Sequence, residues 1–352
     1  MDYDFTLLGE IPSPASLMIR REFFGAGSFK LTLDRAQAGF GLLARDRVLY
    51  PAGRSDLALL VSRVSKTGRR LTADGTLLKG LAKRRICVPP LVTGGAYNQF
   101  GYDLFTGDAE SAYLHFAANN LTAPEDAARA MPRLELAQNL HRGAELPWQA
   151  RFERLSDLFE DIGAATGLGW DIRPDFGAKR YVLGAWAGAD RTTGTGRCAL
   201  SQELGNAGEM TVCEDATAAV TTVYAGGAGE DENRLIQSYG NENGGLARYE
   251  AFEDCGSLDD AAMLKLAAER KLCAPARSMT LEVLDGGLCR YGRDYEVGDL
   301  VTALGEGWRM DARLIAMQET WENGKRTLKA TFGDPPLGVT ELLRRERRRM
   351  VR

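Results

Sequence analysis

The sequence predicts an α+β fold that is mainly β, and three observations carry that expectation. Residues 291–333 hold three strand-like runs with turn chemistry between them. Asn323-Gly324 reads as the turn of a tight hairpin, because a type I′ turn needs positive φ at both central residues. Residues 29–33 alternate strictly, with Phe29, Leu31 and Leu33 on one face and Lys30 and Thr32 on the other. Residues 218–225 (AAVTTVYA) are rich in β-branched side chains and fit a buried strand.

Taken in order, residues 1–96 form a β-rich module. Short strands are predicted at 4–8, 17–24 and 29–33, with Gly25-Ala26-Gly27-Ser28 as the turn between the last two. Strands at 48–50 and 57–64 follow, then Thr67-Gly68 turns the chain into 69–73. A short helix is expected over 75–84, before Pro89-Pro90 breaks the pattern.

Residues 97–212 change character. Pro124-Glu125-Asp126 has the chemistry of a helix start, with proline first and acids in the first turn. The clearest helix is predicted over 148–166, where Trp148, Phe152, Leu155, Phe159 and Ile162 fall on one apolar stripe and Gly167 ends it. That stripe is core packing rather than a cofactor site. Strands at 168–172 and 181–187 complete the segment.

From 213 to 245 the chain returns to β, with an acidic loop at Glu230-Asp231-Glu232 before a strand at 234–239. Ser257 with Asp260 three residues on predicts a capped helix to about 272, ended by Pro275. Strands at 279–283, 300–304, 312–319 and 327–332 follow, and 337–352 is a basic helix or tail. Residues 59–73 (LLVSRVSKTGRRLTA) and 314–330 (LIAMQETWENGKRTLKA) share one plan, an apolar strand, a hairpin glycine, two cations and a return strand. They predict two copies of one β-module.

The 352 residues allow two or three domains, and the formal charge of −4 argues neither for nor against a nucleic-acid partner. Distribution is more informative. From Arg63 to Ile86 there are 8 basic residues and one acid, Asp74, whereas from Glu214 to Asp260 there are 11 acids against Arg234 and Arg248. A molecule polarised in this way can meet its own copies basic patch to acidic patch.

The six cysteines are scattered without a C-x-x-C spacing and the only histidines are His115 and His141, so no zinc or iron–sulfur pattern is present and no cofactor is expected. The N-terminus lacks the basic and apolar regions of a signal peptide, and no apolar run approaches a membrane span. Gly227-Ala228-Gly229 follows a strand, but acids and another strand come after it, which a pyrophosphate site would not tolerate. Neither histidine sits in a nucleophile motif, and Glu230-Asp231-Glu232 and Asp259-Asp260 read as a loop and a helix start rather than paired catalytic carboxylates. The C-terminal LRRERRRM clusters Arg344, Arg345, Arg347, Arg348 and Arg349 without interleaved aromatics, which fits a solvated or protein-docking tail better than a base-stacking one.

The opening LLGEIPSPASLMIRREFFGAGSFKLTL, with its basic pair, aromatic pair and Gly-x-Phe-x-Leu return, resembles siphophage tail hub proteins of the ReqiPepy type. Arg84-Arg85-Ile86 is similar to that family's R-R-I. Tyr291-Gly292, Asp294-Tyr295, Gly298-Asp299-Leu300-Val301, Asp311-Ala312-Arg313-Leu314-Ile315 and Thr331-Phe332-Gly333 also match, so the marks bracket nearly the whole chain. The middle departs most from the family pattern.

The resemblance implies a structural baseplate hub at the distal end of a phage tail tube, without enzymatic activity. It implies two tail-tube-type β-barrel domains with an inserted α+β domain. These would be 1–96 and 213–245 with 278–336, around an insertion of 97–212 with 246–277, and 337–352 as a tail. Three subunits would make a ring that closes the tube. Expected partners are the chain itself as a homotrimer, a distal tail or tail tube protein, a tail-tip or fibre protein and the tape-measure protein. DNA would be met only in transit through the lumen, and no membrane insertion is expected. The place would be the virion tail tip, after assembly in the bacterial host cytoplasm. Expected contact residues are Arg69, Arg70, Arg84, Arg85, Glu230, Asp231, Glu232 and the arginines of the tail. The rival readings are a tail-associated cell-wall hydrolase, for which the chain past Pro336 leaves no C-terminal room, and a carbohydrate-binding receptor module, which needs an exposed aromatic cluster.

Overall fold

The computed structural model describes residues 1–333 other than 55, 92–98, 241, 257, 270 and 285–288. The described residues divide into two compact units, Met1–Glu209 with Leu281–Ala330, and Met210–Thr280 with Thr331–Gly333.

The first unit is organised on a largely antiparallel sheet. Part of its strand order runs Lys325–Gly333, Trp308–Glu322, Ser16–Glu22, Ser28–Asp34, Arg70–Leu77, Leu59–Thr67 and Val48–Leu49. Leu300–Gly305 pairs with Trp308–Glu322 as well, and Ala199–Ser201 runs parallel to Leu300–Gly305. The N-terminal hairpin sets Leu17 against Leu31 and Ile19 against Phe29, as the alternation requires. Asn323 and Gly324 both have positive φ, 52° and 74°, so the predicted type I′ turn is present. Both stretches of the suspected repeat are hairpins of this one sheet.

The closed barrels expected from the resemblance are corrected. Among the described residues the strand order does not return on itself and no barrel closes. At one end Val48–Leu49 is two residues long and Pro51 follows, so that edge offers too few N–H groups to template a further strand.

Each face of the sheet carries a core. One cluster is built from Ile19, Phe29, Leu31, Leu33, Val61 and Leu71. The other joins Leu60, Leu78 and Leu81 to Tyr113, Phe116, Trp148, Phe159 and Trp170 of the middle segment. That segment contributes helices Ala109–Ala117 and Leu155–Thr166, the antiparallel pair Asp103–Asp108 and Glu145–Ala150, and a three-stranded sheet of Leu134–Leu136, Arg180–Trp186 and Gly169–Asp175. Leu155, Leu158, Phe159 and Ile162 are the buried stripe of the second helix, and Gly167 ends it in the left-handed region at φ 69°.

Several predicted elements differ. The helix expected from 148 begins at Leu155, because Trp148 lies in a strand paired with Phe105 and Phe152 takes a positive φ of 55°. The helix expected over 75–84 is the end of Arg70–Leu77 followed by a 3-10 turn, Leu78–Arg84. Residues 4–8 form no strand and the chain turns at Phe5, which has φ 69°, and the Pro124 site starts only the three-residue turn Ala127–Arg129, capped by Asp126. Asp108 caps an unpredicted helix, accepting from the Ser111 amide at 2.8 Å. The predicted cap Ser257 and the tail 337–352 lie outside the described residues. Asp260 caps that third helix, Ala261–Glu269, its Oδ1 accepting from the Ala262 amide at 2.7 Å.

Phe23 fastens the first unit together. A Cβ on Gly169 or on Gly298 would each lie 2.4 Å from its ring, so only glycine fits on either side. The Arg313 guanidinium stacks over the same ring at 5.3 Å, and the Phe23 amide donates to the Ile315 carbonyl at 2.8 Å.

A second buried feature is ionic. Arg21 is 2% exposed, and its Nη1 lies 3.3 Å from Asp56 Oδ2 while its guanidinium sits 5.3 Å from the Trp186 ring. Glu319, 1% exposed, lies 2.6 Å from Arg326 Nη2 and 3.6 Å from Arg54 Nη1.

Lys79, one of the eight cations that polarise the sequence, is not on the surface. It is 1% exposed, donates to the carbonyls of Glu22 at 2.9 Å and Phe23 at 3.0 Å, and lies 4.8 Å from the Trp170 ring centre. Burial pushes its ammonium down from 10.5 to about 8, against the raising pull of Asp171 and Glu22. Between those two values the unfolded chain holds a proton that the folded chain has released, so stability rises with pH across the window. Relative to Lys79→Met, wild-type stability is expected to gain about 2–3 kcal/mol from pH 8 to pH 10. Urea midpoints of the two proteins at each pH check this. Parallel pH profiles would show that Lys79 is not the desolvated ammonium described.

The second unit is smaller. Thr222–Gly226 is the centre of a three-stranded sheet, with Ile236–Tyr239 antiparallel on one side and Glu250–Asp254 parallel on the other. Val223 and Ala225 pack against Leu264, Ala267 and Ala268 of helix Ala261–Glu269.

Candidate interaction surface

The residues singled out in the sequence occupy three separate places. Arg69 lies in a hairpin turn of the first unit and Arg70 begins the return strand, and Arg69 Nη2 lies 3.4 Å from Asp34 Oδ1. Arg84 and Arg85 close the 3-10 turn Leu78–Arg84 and continue beyond it. Glu230, Asp231 and Glu232 are all exposed, in a short turn of the second unit. The tail arginines Arg344, Arg345, Arg347, Arg348 and Arg349 lie outside the described residues.

Around Arg84 and Arg85 the structure gathers further cations. An antiparallel bridge between Ile86 and Arg154 brings two distant segments together. Lys83, Arg84, Arg85, Ile86, Ala128, Arg129 and Arg154 line a surface pocket of about 350 Å³, with five cations and no carboxylate in its wall. Arg85 Nε donates to the Arg129 carbonyl at 2.7 Å and Arg129 Nη2 to the Ile86 carbonyl at 2.7 Å, so these two hold the wall in shape. Arg84 Nη2 lies 2.5 Å from Asp46 Oδ1. Among the described residues, no hydrogen bond or ion pair engages the side chains of Lys83 and Arg154, both of which are exposed. Sequence reasoning counted Lys83 only as part of a basic run. It missed Arg129 and Arg154 because neither lies near that run in the chain.

The acidic turn is its opposite. Gly229 has φ 107°, and a Cβ there would meet the Asn233 carbonyl at 2.5 Å, so the loop doubles back tightly. Asp231 takes a positive φ of 47°, and the Asn233 amide donates to the Glu230 carbonyl at 3.0 Å. No cation of the described residues pairs with these three carboxylates.

Catalytic geometry does not assemble at the histidines. His141 Nδ1 lies 3.1 Å from Asp108 Oδ2 and 3.3 Å from Ser111 Oγ. A proton relay needs acid and nucleophile on opposite ring nitrogens, whereas here both share one. Ser111 instead donates to Asp108 at 2.7 Å within the helix cap. His115 Nε2 meets Asp103 Oδ1 at 2.8 Å, Asn119 shares that carboxylate, and Phe105 stacks on the ring at 4.7 Å.

A partly aromatic face lies on the second unit's sheet. Phe252 is 54% and Ile236 53% exposed. Tyr224, on the neighbouring strand, accepts from Arg248 Nη2 at 3.1 Å and donates to Glu250 Oε1 at 3.2 Å.

The family model described as Siphovirus ReqiPepy6 Gp37-like protein matches residues 1–334. No curated protein matches the chain. Among solved structures, the fold is similar to prophage tail protein gp18 from Listeria monocytogenes EGD-e, at 12% identity and TM-score 0.54 over 94% of this chain and 91% of that one. It is similar to the tail protein from Neisseria meningitidis MC58, at 17% identity and TM-score 0.56 over 91% and 92%. It is also similar to the prophage MuSo2 43 kDa tail protein from Shewanella oneidensis, at 10% identity and TM-score 0.58 over 91% and 94%.

Proposed function

This chain belongs to the siphovirus ReqiPepy6 Gp37-like protein family, and from that premise we propose that it is a structural phage tail protein, the baseplate hub at the distal end of the tail tube. The observation that carries the reading is the fold. Three tail proteins of 10–17% identity share it over nine-tenths or more of their length and of this chain.

In this reading the chain acts as a homotrimer in the virion, bound above to a distal tail or tail tube protein and below to tail-tip or fibre proteins. The tape-measure protein and DNA pass through its lumen. Residues 1–96, and 213–245 with 278–336, supply the two tube-type modules, and three subunits present six of them. Among the described residues no sheet closes on itself, so in this reading closure belongs to the ring of subunits rather than to one chain. The mechanism is structural, with no catalytic step, and the shared ring nitrogen of His141 supports that.

The carbohydrate-receptor alternative draws on the Phe252 and Tyr224 face, and the hydrolase alternative finds no nucleophile paired with either histidine among the described residues. Light scattering of the purified chain, alone and with the tail tube protein, decides. A trimer, or a monomer that becomes a trimeric ring on the tube protein, is expected. A stable monomer that ignores the tube protein and clears cell-wall material would overturn the hub.

A further inference from the structure

We propose that the pocket around Lys83 and Arg154 receives the Glu230–Glu232 turn of a second copy of this chain. The inference rests on the ring reading above and assigns one of its contacts. Electrostatics narrows the choice. Of the exposed cations in the basic run, Arg63, Arg69 and Arg84 already face Asp74, Asp34 and Asp46 of the same chain. Lys83 and Arg154 face no described carboxylate, and the pocket they line has none in its wall. On the other side stand three consecutive exposed carboxylates with no described cation, held in a tight turn by Gly229.

The two surfaces are different patches of one molecule. Joining them between copies makes a head-to-tail contact, the type that closes into a ring when the rotation allows. A partner with three carboxylates on one short turn satisfies two unpaired cations at once, and the match sets register as well as attraction. Arg85 and Arg129, which tie the pocket wall to the Ile86 carbonyl and to each other, are positioning residues for that contact.

Reversing charge on each side of the full-length chain tests the contact. Lys83→Glu with Arg154→Glu is expected to weaken self-association by about tenfold or more, and so is Glu230→Lys with Asp231→Lys and Glu232→Lys. All five positions are exposed, and circular dichroism confirms that the variants fold. A chain carrying both reversals is expected to regain wild-type mass by light scattering, and wild-type association is expected to weaken as salt rises. In a mixture of isotope-labelled and unlabelled wild type, carbodiimide is expected to join Lys83 of one copy to Glu230, Asp231 or Glu232 of another. Single reversals that leave the mass unchanged, or a combined reversal that fails to restore it, would overturn the contact and leave the ring standing. A wild-type chain that stays monomeric with the tail tube protein would remove both.

Discussion

Replacing Glu319 with alanine is expected to lower stability by roughly 2–3 kcal/mol. Glu319 lies on Trp308–Glu322 opposite Ile19, in the middle of the sheet, and is 1% exposed. Its carboxylate sits between Arg326 and Arg54, while Arg21 lies buried one step along the neighbouring strand beside Asp56. Removing the carboxylate empties a buried site and takes a partner from Arg326 and Arg54, whose side chains stay partly exposed, so water and Asp56 offset part of the loss. Glu319→Gln keeps the size and the hydrogen-bonding oxygen but loses the charge, so it is expected to fall between wild type and alanine. Urea denaturation of the three proteins checks the order. An alanine variant within about 1 kcal/mol of wild type would mean that water already neutralises the cluster.

Trp170→Ala is the second large effect, roughly 3–5 kcal/mol. The indole is 0% exposed and meets Phe159 edge-on at 4.8 Å. Its Nε1 donates to the Phe24 carbonyl at 2.7 Å, and its face lies under the Lys79 ammonium. Alanine therefore opens a cavity, orphans a buried carbonyl and takes the ring from under a desolvated cation. Trp170→Phe fills most of the space and loses chiefly the hydrogen bond, so about 1–2 kcal/mol is expected. Thermal unfolding of both variants separates packing from hydrogen bonding, and equal losses would show that the cavity contributes nothing.

Local chemistry was the most legible part of this sequence. Hairpins announced by Asn323-Gly324 and Thr67-Gly68 are present, because positive φ at the turn is a demand that few residues meet. The apolar stripe from Trp148 was read too far back. Trp148 and Leu155 fit a helical spacing, yet Glu145–Ala150 gains more by pairing with Asp103–Asp108 than by extending the helix. Helix Ala109–Ala117 escaped notice because its stripe is short and rich in alanine, and its signal lies in the cap at Asp108. Lys79 read as surface charge because no local pattern says that a lysine will be buried under a tryptophan. The candidate pocket was half visible. Arg84 and Arg85 stand in a basic run, but Arg129 and Arg154 reach them only through the fold.

The pairing of Ser16–Glu22 with Trp308–Glu322 also sets a clock on synthesis. The ribosome releases the first strand long before its partner exists. At ordinary elongation rates the wait is on the order of 15–60 seconds. Throughout it one edge of the N-terminal hairpin is bare, and Phe23 has neither Gly298 nor Arg313 to close on it. Nascent chains of this protein are thus adhesive by construction, and a message cut short before residue 308 yields a product with an open strand edge. Where many copies are made at once, holding that edge apart from its neighbours is work for chaperones.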